Sequence, residues 1–389
     1  DTDYLELIAD WKEKNRLRRS PHTVIDEKII VAIRKRPLNS SEMGRHEQDS
    51  ISCANPFVVV HEPKESVSKQ KDLNNVPFRF DHVFGTESTT DEVYDSVCAP
   101  LVNFAVKGGY ASCFAYGQTG SGKTYTMGQL QKMAIKDLIA LAGDDVVTVS
   151  FIEIYSGRIH DLLNESARLE ILEDAKGKVV IVGMLKEPVT SPEEAMEVIE
   201  TGAGLRKTSK TDANSESSRS HAIVQFMIHS QKDDGLGWED KKARGVLSII
   251  DLAGSERGQD TKSHTRQLRT EGAEINKSLL ALKECIRSLQ QKETSAVSFR
   301  GSKLTQVMKA SFVEKKVRTV MIVTVSPASD STNHTISSLR YADRIKDKYH
   351  KKTLVLPLLK EGEEQIQEYR KQSESTALEF KGDEEGEKF

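Results

Sequence analysis

The sequence predicts an α/β domain in which a central, mostly parallel β-sheet is flanked by helices on both faces. Strand-like and helix-like segments are intermixed along most of the 389 residues. Apolar residues occupy both faces of three strand-like segments, IIVAIRKRP (29–37), GVLSIIDLAG (245–254) and RTVMIVTVSP (318–327). This is expected of parallel strands that are buried between two helical layers. A further strand-like segment leads directly into the glycine-rich stretch GQTGSGKT (117–124), and a helix-compatible segment follows.

Hydrophobic periodicity predicts the remaining elements. A helix is expected over residues 3–19, because Tyr4, Ile8 and Trp11 recur at helical spacing, and its second half (12–19) is basic. A polar stretch between two predicted strands suggests a long hairpin, formed by FVVVHEP (57–63) and FRFDHVF (78–84). The other expected elements are the strands VVTVSFIEIY (146–155) and AIVQFMIHS (222–230) and the helices near 91–107, 271–289 and 337–346.

Composition excludes several classes of protein. The net charge of −3 leaves no general basic field that would draw the molecule onto nucleic acid, so any attraction to an acidic polymer must be local. The four cysteines show no Cys-x-x-Cys spacing, which favours free thiols in a reducing compartment. No apolar run reaches the ~18 residues of a membrane helix. Because the chain begins with Asp1, we expect it to be a fragment of a longer protein.

The stretch GQTGSGKT (117–124) fits the pattern of a phosphate-binding loop. Its glycines allow backbone N–H groups to approach phosphates, and the helix that follows adds its positive end. Lys123 can reach the β- and γ-phosphates, and Thr124 can ligate Mg²⁺. Asp251, at the end of an apolar strand, is the expected acidic residue of the Mg²⁺ site. The N–H of Gly254 could contact a γ-phosphate.

The base is predicted to be adenine. GTPases often carry Asn-Lys-x-Asp to bind guanine, and the only Asn-Lys in this chain, at Asn276–Leu279, lacks the aspartate. ATP is therefore the preferred nucleotide.

Four motifs together resemble the nucleotide motifs of the kinesin motor domain. They are IRKRP (33–37), GQTGSGKT (117–124), NSESSRSH (214–221) and DLAGSE (251–256), and they occur in this order. The resemblance runs from about Ile29 to Lys346, where LRYADRIK matches the closing helix of that fold.

The resemblance implies a nucleotide site and a metal site. Adenine would lie between Arg34, Arg36 and Pro37, with Tyr125 nearby. The implied residues of the phosphate loop are Gln118, Thr119, Gly120, Ser121, Gly122, Lys123 and Thr124. The implied Mg²⁺ ligands are Thr124, Ser218 and, through water, Asp251.

The resemblance also implies how hydrolysis occurs. Ser217 would help to position the attacking water, and Gly254 would lie at the γ-phosphate. Arg219 would pair with Glu256 when the two switch loops close around ATP, and Glu256 would relay the proton through water. Such catalysis consists of positioning and charge stabilisation.

The predicted helix around EGAEINKSLLALKECIRSL (271–289) has two different faces. The buried stripe is expected to contain Ile275, Leu279, Leu282, Ile286 and Leu289. The other face carries Lys277, Leu280, Glu284 and Arg287, with Lys283 on the flank. Leu280 is the unusual member, because an apolar residue on this face has no core to join. The kinesin resemblance implies that tubulin covers this face.

Several stretches resemble the kinesin-13 family, the kinesins that depolymerise microtubules. The triplet Lys283-Glu284-Cys285 matches that family, as do RKRPLN (34–39), HEPK (61–64) and CFAYGQTGSGKT (113–124). The basic segment 12–19 resembles the neck of these proteins and would tether the chain to acidic tubulin through salt-dependent attraction.

Two stretches depart from the kinesin-13 pattern. The family carries Lys-Val-Asp at the tip of the long hairpin, where an ungapped alignment from HEPK to FRFD places Ser66-Val67-Ser68; in a shifted register Lys69, Lys71 and Asp72 would substitute. In FRGSKLTQVMKASF (299–312), Gly301 and Ala310 stand where the family has acids, and Arg300 and Lys303 remain as expected tubulin contacts. The nucleotide motifs predict ATPase activity, and the two departures affect only the predicted depolymerisation.

Three functions compete on the sequence alone. The first is an ATPase that bends tubulin at microtubule ends, and the second is a plus-end-directed transporter. The third, a non-motor nucleotide switch or helicase, is disfavoured by the switch motifs. No sustained heptad follows in 347–389, which favours the first function.

The expected organisation is a basic helical neck (1–26), a motor domain (27–348) and an acidic C-terminal extension (349–389). The resemblance implies α/β-tubulin as the partner, with neither nucleic acid nor membrane. It places the protein in the cytoplasm on the microtubule cytoskeleton, such as spindle or flagellar microtubule ends, and any dimer would use regions outside this sequence.

Overall fold

A computed structural model describes residues 4–65, 71–174, 177–208, 218–231, 237–238, 242–256, 266–290, 298–346 and 358–359. The predicted hairpin tip Ser66-Val67-Ser68 and Ser217 lie outside these ranges, and their roles stay predictions. Within the described ranges, no helix combines the length and the apolar character that a membrane span requires. All four cysteines are free thiols, as predicted.

The predicted strands are present in the predicted order, together with others. In the described part of the chain the strands are β1 (Arg16–Leu17), β2 (Ile29–Lys35), β3 (Ile51–Ala54), β4 (Phe57–Glu65), β5 (Lys71–Arg79), β6 (His82–Phe84), β7 (Tyr110–Tyr116), β8 (Val146–Tyr155), β9 (Arg158–Asp161), β10 (Ala167–Glu173), β11 (Val179–Val182), β12 (Glu187–Val189), β13 (His221–His229), β14 (Gly245–Asp251), β15 (Val317–Val325) and β16 (Leu358–Leu359). The strands that the sequence did not predict are β1, β3, β9, β10, β11, β12 and β16.

One helix precedes these strands and the others lie between them. They are α1 (Tyr4–Lys14), α2 (Ser40–Gly44), α3 (Thr90–Val93), α4 (Ala99–Val106), α5 (Lys123–Ala142), α6 (Pro192–Thr208), α7 (Arg266–Gln290), α8 (Lys303–Met308), α9 (Ala310–Val313) and α10 (Thr332–Lys346). The predicted helix near 91–107 is present as α3 and α4, joined by a π-helical turn at Tyr94–Cys98.

The main sheet is mixed, with the strand order β11-β10-β9-β8-β13-β14-β7-β15-β2-β6 and with β12 beside β8. The strands from β14 to β6 run parallel, so the predicted parallel character holds for the half that carries the glycine-rich loop. In the other half the strands pair antiparallel, because tight turns connect several of them. At the β8–β9 turn, Ser156 and Gly157 both adopt positive φ, as in a two-residue hairpin turn.

Two apolar cores cover the two faces of this sheet. Along β7, Cys113 and Ala115 face the core formed with α4, α5 and α6, whereas Phe114 faces the core formed with α7, α8 and α10. This alternation follows from the two-residue period of a strand. The fold is therefore a three-layer α/β arrangement with helices on both faces, as predicted.

A separate three-stranded sheet, β3-β4-β5, forms the predicted long hairpin. The predicted strand 78–84 is wrong as one element, because the chain leaves this sheet and enters the main sheet at Asp81. The Asp81 carboxylate accepts a hydrogen bond from the backbone N–H of Val31 at 2.7 Å and pairs with Lys346 at 2.6 Å, which fixes the crossing point.

The N-terminal helix α1 packs on this hairpin. Its Ile8 is buried, its Trp11 ring meets His61 edge-on at 4.5 Å, and its Tyr4 hydroxyl donates to the carbonyl of Lys64 at 3.0 Å. The predicted end of this helix at residue 19 is wrong: α1 ends at Lys14. The chain there turns into β1, which pairs with β16 near the far end of the sequence, a contact that local periodicity cannot reveal.

Candidate functional site

The glycine-rich loop joins the end of β7 to the start of α5, at the edge of the sheet where the parallel strands end. A Cβ atom at Gly117 would lie 2.3 Å from the carbonyl oxygen of Thr324 on β15, so this position requires glycine. The loop thus passes tightly over the sheet edge and leads into a 20-residue helix. The N-terminal N–H groups of such a helix attract anions, which suits a phosphate.

Lys123 lies inside the loop. It is only 5% exposed, and its ammonium donates to the carbonyls of Gly117 and Gln118 at 2.9 and 2.8 Å. Burial lowers the pKa of Lys123, and the carboxylates of Asp251 and Glu256 oppose this shift. An ammonium held inside the loop can bind phosphate oxygens, and the phosphate contact of Lys123 stays a prediction.

Thr124 and Asp251 meet as the predicted metal site requires. The Thr124 hydroxyl donates to Oδ2 of Asp251 at 2.8 Å. Oδ1 of Asp251 is buried and has no hydrogen-bond partner among the described residues. A buried carboxylate oxygen with no partner beside a threonine hydroxyl fits a hard cation such as Mg²⁺, which takes oxygen ligands and keeps several waters. These two residues would therefore hold the ion directly or through water.

Arg206, near the end of α6, is a site residue that sequence reasoning missed. Its guanidinium lies 3.2 Å from Oδ2 of Asp251 and 3.8 Å from the Glu153 carboxylate, and it donates to the backbone carbonyl of Ser220 at 3.1 Å. Both carboxylates are nearly fully buried, so the arginine balances two charges that have little contact with water. An arginine in a helix that belongs to no motif gives no signal of this in the sequence.

The segment that follows Asp251 is bound to the phosphate loop. The N–H of Gly254 donates to the carbonyl of Ser218 at 2.8 Å, and the N–H of Ser255 donates to the carbonyl of Gly117 at 3.0 Å. The Glu256 carboxylate accepts a hydrogen bond from the backbone N–H of Thr119 at 2.9 Å and another from the Thr119 hydroxyl. Ser255 and Glu256 therefore hold this segment against the phosphate loop, while the Gly254 N–H is bound to Ser218, and its contact with a γ-phosphate stays a prediction.

Arg219 contacts helix α7. Its guanidinium lies 3.8 Å from the carboxylate of Glu271, which is buried and also accepts a hydrogen bond from the Tyr155 hydroxyl. The structure thus places Arg219 and Glu256 in separate contacts. Their pairing in closed switch loops stays a prediction.

Arg34 and Tyr125 lie together at the predicted adenine site. The Arg34 guanidinium lies 5.7 Å from the centre of the Tyr125 ring and donates to the hydroxyls of Thr126 and Thr90 at 3.1 and 2.8 Å. Tyr125 is 63% exposed, which leaves an aromatic face open to a planar base. This arrangement agrees with adenine binding.

Arg36 is bound to protein groups instead of facing outward. It pairs with both carboxylate oxygens of Glu42, and its Nε donates to the carbonyl of Gly120 at 2.7 Å. The Arg36 hydrogen bonds lower the pKa of Glu42 to about 2. Arg36 therefore links the phosphate loop to the segment after Pro37, and Glu42 is a second residue that the motifs did not reveal.

The two faces of α7 match the prediction. Ile275 is half-buried, and the residues packed in the core are Leu279, Leu282, Cys285 and Ile286. Lys277, Glu284 and Arg287 are exposed, and Leu280 is 53% exposed without a core contact. Cys285 is thus the structural member of the triplet, and the side chain of Leu289 lies outside the described part.

Lys283 lies on the flank of α7, 5.7 Å from the centre of the Tyr341 ring. Burial lowers its pKa, and the nearby cations Arg344 and Arg287 lower it further. The three cations form a basic cluster beside Leu280. Such a cluster favours an acidic partner.

Arg300 and Lys303 lie on the adjoining segment. Arg300 donates twice to Glu173 of β10, while Lys303 lines a cleft of about 210 Å³ with Lys277 and Arg219. Gly301, one of the departures noted in the sequence, is close to α7: a Cβ atom there would lie 3.2 Å from that of Ala281. The close packing gives a physical reason for a small residue at this position.

The fold and the site define a P-loop NTPase. A glycine-rich loop between a parallel strand and a helix holds a buried lysine, and a strand-terminal aspartate lies beside the threonine of the loop.

Comparison with known proteins identifies the family. The family model of the kinesin motor domain matches residues 34–347. "Diatom spindle kinesin-1" of Cylindrotheca fusiformis is 44% identical over 359 residues, covering 89% of this chain and 56% of that protein. "Kinesin-like protein KIN-13B" of Arabidopsis thaliana is 47% identical over 327 residues, covering 82% of this chain and 47% of that protein.

The chain belongs to the kinesin motor domain family. Kinesin motor domains are microtubule-stimulated ATPases that bind nucleotide and associate with the cytoskeleton. The chain spans about half the length of the curated relatives it matches.

Proposed function

We propose that this chain is an ATP-driven motor of the kinesin-13 type that binds microtubule ends, bends tubulin and promotes depolymerisation. The observation that carries the proposal is on α7. An exposed leucine, Leu280, lies beside the cations Lys283 and Arg287, while the opposite face of the helix reaches residues of the nucleotide site.

The nucleotide side of the proposal assigns ATP and Mg²⁺ to the P-loop. Thr124, Ser218 and Asp251 would hold the ion, which supplies charge stabilisation at the phosphates when bound. Ser217 and Glu256 would position and deprotonate the attacking water through a hydrogen-bonded chain. Arg219 would exchange Glu271 for Glu256 when the switch loops close.

The tubulin side assigns one continuous surface to the acidic polymer. It consists of Lys277, Leu280, Lys283, Glu284, Arg287, Arg300 and Lys303. Exposed cations steer an acidic partner and set the salt dependence of binding, and an apolar residue at the centre of the patch can contribute burial. The hairpin tip Ser66-Val67-Ser68 would be a second, separate contact.

The packing of α1 on the long hairpin also supports a kinesin-13 function. The contacts of α1 at Ile8, Tyr4 and Trp11 brace the strands β4 and β5 that carry the hairpin tip. A braced hairpin can transmit force to a filament end better than a loose loop. The proposed organisation is accordingly neck 1–26, motor 27–348 and acidic extension 349–389.

A plus-end-directed transporter is the second candidate. The 44% identity to "Diatom spindle kinesin-1" shows that the likeness of this chain is not confined to KIN-13B, so a translocating motor is kept as the alternative. The identity to KIN-13B and the Lys283-Glu284-Cys285 triplet favour depolymerisation. Spindle or flagellar microtubule ends in the cytoplasm are the proposed location.

One experiment separates the two candidates. Stabilised, end-labelled microtubules are incubated with the protein and ATP, while filament length and gliding are recorded by fluorescence microscopy. Shortening from the ends supports the kinesin-13 proposal. Directed gliding at constant length would instead identify a transporter, and a reaction without ATP serves as the control.

A further inference from the structure

His221, the first residue of β13, links the phosphate site to helix α7. Its Nδ1 lies 3.0 Å from the backbone nitrogen of Ala253, and its Nε2 lies 2.7 Å from the hydroxyl oxygen of Ser278. The Ser278 hydroxyl in turn donates to the carbonyl of Ile275 at 2.7 Å. The three hydrogen bonds form a continuous path from the segment after Asp251 into the backbone of α7.

The donors along this path are fixed. A backbone N–H can only donate, so Nδ1 of His221 accepts from Ala253 and carries no proton. The proton of the neutral ring is then on Nε2 and is donated to Ser278. Burial, together with the cations Arg206 and Lys123, lowers the pKa of His221 to about 3, which keeps the ring neutral at physiological pH.

One end of the path lies at the proposed nucleotide site, and the other lies beside the proposed tubulin surface. Ala253 lies between Asp251, at the proposed metal site, and Gly254, at the proposed γ-phosphate contact. Ser278 lies one residue after Lys277 and two before Leu280 on the proposed tubulin surface. A displacement of Ala253 by a fraction of an ångström would therefore shift His221 and Ser278 as well. The reason is that a buried donor or acceptor that loses its partner costs free energy.

A second contact supports the same route. Glu271 precedes Ser278 by seven residues, about two helical turns, so both lie on one face of α7. Glu271 contacts Arg219, and Ser278 contacts His221. Arg219 and His221, just before and at the start of β13, therefore contact α7 at two points. The path through His221 joins the segment after Asp251 to α7 by direct hydrogen bonds.

We propose that His221 is a positioning residue that couples the nucleotide-sensing segment Leu252–Gly254 to α7, so that the nucleotide bound at the P-loop sets the affinity of α7 for tubulin. This inference rests on the proposed microtubule-dependent ATPase. It adds the hydrogen-bonded route by which the two sites communicate.

The test removes both hydrogen bonds of the Ser278 hydroxyl, to His221 and to Ile275, without touching the nucleotide site. Ser278→Ala deletes the far end of the path, and Ser278→Thr keeps the hydroxyl and should restore the behaviour. Ser288→Ala, elsewhere on α7, is the matched control. We expect Ser278→Ala to keep its basal ATPase and to lose about fivefold in microtubule stimulation, the factor that loss of the His221–Ser278 hydrogen bond supplies. Equal stimulation in wild type and Ser278→Ala would overturn the coupling.

A second measurement needs no microtubules. Hydrogen exchange of the α7 amides around 275–282 is compared between Mg·ADP and a non-hydrolysable Mg·ATP analogue. In wild type the two nucleotides should give different protection, and in Ser278→Ala the difference should disappear. Failure of the proposed function would show as an absence of microtubule stimulation in wild type. Failure of the inference would show as an unchanged exchange difference in the variant.

The two hydrogen bonds of His221 can be tested separately. His221→Asn keeps an acceptor near the Nδ1 position, and His221→Gln keeps a donor near the Nε2 position. If the whole path is required, both variants weaken the nucleotide dependence of exchange in α7, and adding Ser278→Ala to either causes no further loss. Additive losses would contradict a single path.

Discussion

The carboxylate of Glu256 accepts hydrogen bonds from the backbone N–H and the hydroxyl of Thr119 in the phosphate loop. Its predicted partner Arg219 lies instead 3.8 Å from Glu271 on α7. Formation of an Arg219–Glu256 pair therefore exchanges two existing contacts for a new one. An exchange of this kind gives two alternative arrangements whose balance a nucleotide can shift.

Glu256→Ala is expected to bind ATP and to lose hydrolysis. Lys123 and the loop N–H groups, which are proposed to bind the phosphates, are left in place, whereas the proposed proton relay is removed. Binding is measured with a fluorescent ATP analogue and hydrolysis by phosphate release. The exposed Glu200→Ala on α6 is the control, and wild-type turnover in Glu256→Ala would exclude the assigned role.

Asp251→Asn is expected to weaken the retention of Mg²⁺. The amide keeps the size of the side chain but replaces a carboxylate oxygen that is buried without a partner. The Mg²⁺ concentration for half-maximal nucleotide retention should rise by about 10- to 100-fold, as for other groups that orient a metal site. A fluorescent-ADP release assay at varied Mg²⁺ measures this, with exposed Asp144→Asn as the control. An unchanged Mg²⁺ dependence would place the ion elsewhere.

The sequence predicts the local parts of the site well. The loop 117–124 and Asp251 could be located because their chemistry depends on residue types at fixed spacing along the chain. The exposed position of Leu280 could be predicted because helical period alone separates the faces of α7. These features depend on neighbours in sequence, and the structure places them as expected.

Contacts between different elements of the fold could not be predicted in the same way. Arg206 meets Asp251 across 45 residues, and Arg36, which follows β2, meets Glu42 in the short helix α2, which has no hydrophobic period. The antiparallel half of the sheet also depends on how strands pair in space. In each case the partner is set by tertiary packing, which a single sequence does not encode in any local pattern.

Glu42→Gln is expected to destabilise the domain in a pH-dependent way. The pKa of Glu42 is about 2 in the fold and ~4.3 in an unfolded chain, so the folded state favours the charged form. This stabilisation is fully present above about pH 5 and is lost as the pH falls toward 2. At pH 7 the substitution should lower the free energy of unfolding by ~1.5–3 kcal/mol, the usual contribution of a hydrogen bond to a charged group.

Urea unfolding at pH 7 and at pH 3.5 measures the effect of Glu42→Gln. The difference from wild type should be smaller at the lower pH, because wild-type Glu42 is then closer to protonation. Glu197→Gln, an exposed position on α6, should show no such change. A difference of the same size at both pH values would mean that the lost contact is not ionic.

Lys283→Ala combined with Glu284→Ala is expected to abolish ATPase stimulation by microtubule ends and to leave basal turnover intact. Both side chains lie on the outer part of α7, away from the P-loop, and Lys283 belongs to the basic cluster with Arg287 and Arg344. Turnover is measured with many short filaments and with few long ones at equal tubulin concentration. Only the wild type should respond to the number of ends.

The matched control for this pair lies on the opposite helical layer. Lys132→Ala on α5 with Glu200→Ala on α6 removes the same two charges from exposed positions far from α7. It should behave as wild type. Undiminished end stimulation in the α7 double variant would exclude that surface as the end-recognising contact.

Ser66→Lys combined with Ser68→Asp is expected to increase depolymerisation. The change restores the Lys-Val-Asp of the kinesin-13 family at the tip of the hairpin whose strands β4 and β5 are braced by α1. Exposed charges at an interface contribute ~0.5–1 kcal/mol, so the rate of shortening should rise by about two- to fivefold at low salt. The gain should shrink as added salt shortens the Debye length.

Ser66→Asp with Ser68→Lys carries the same charges in reverse order and should give no gain. An equal gain in both variants would attribute the effect to charge in general, and no gain in either would show that the tip serines do not limit activity.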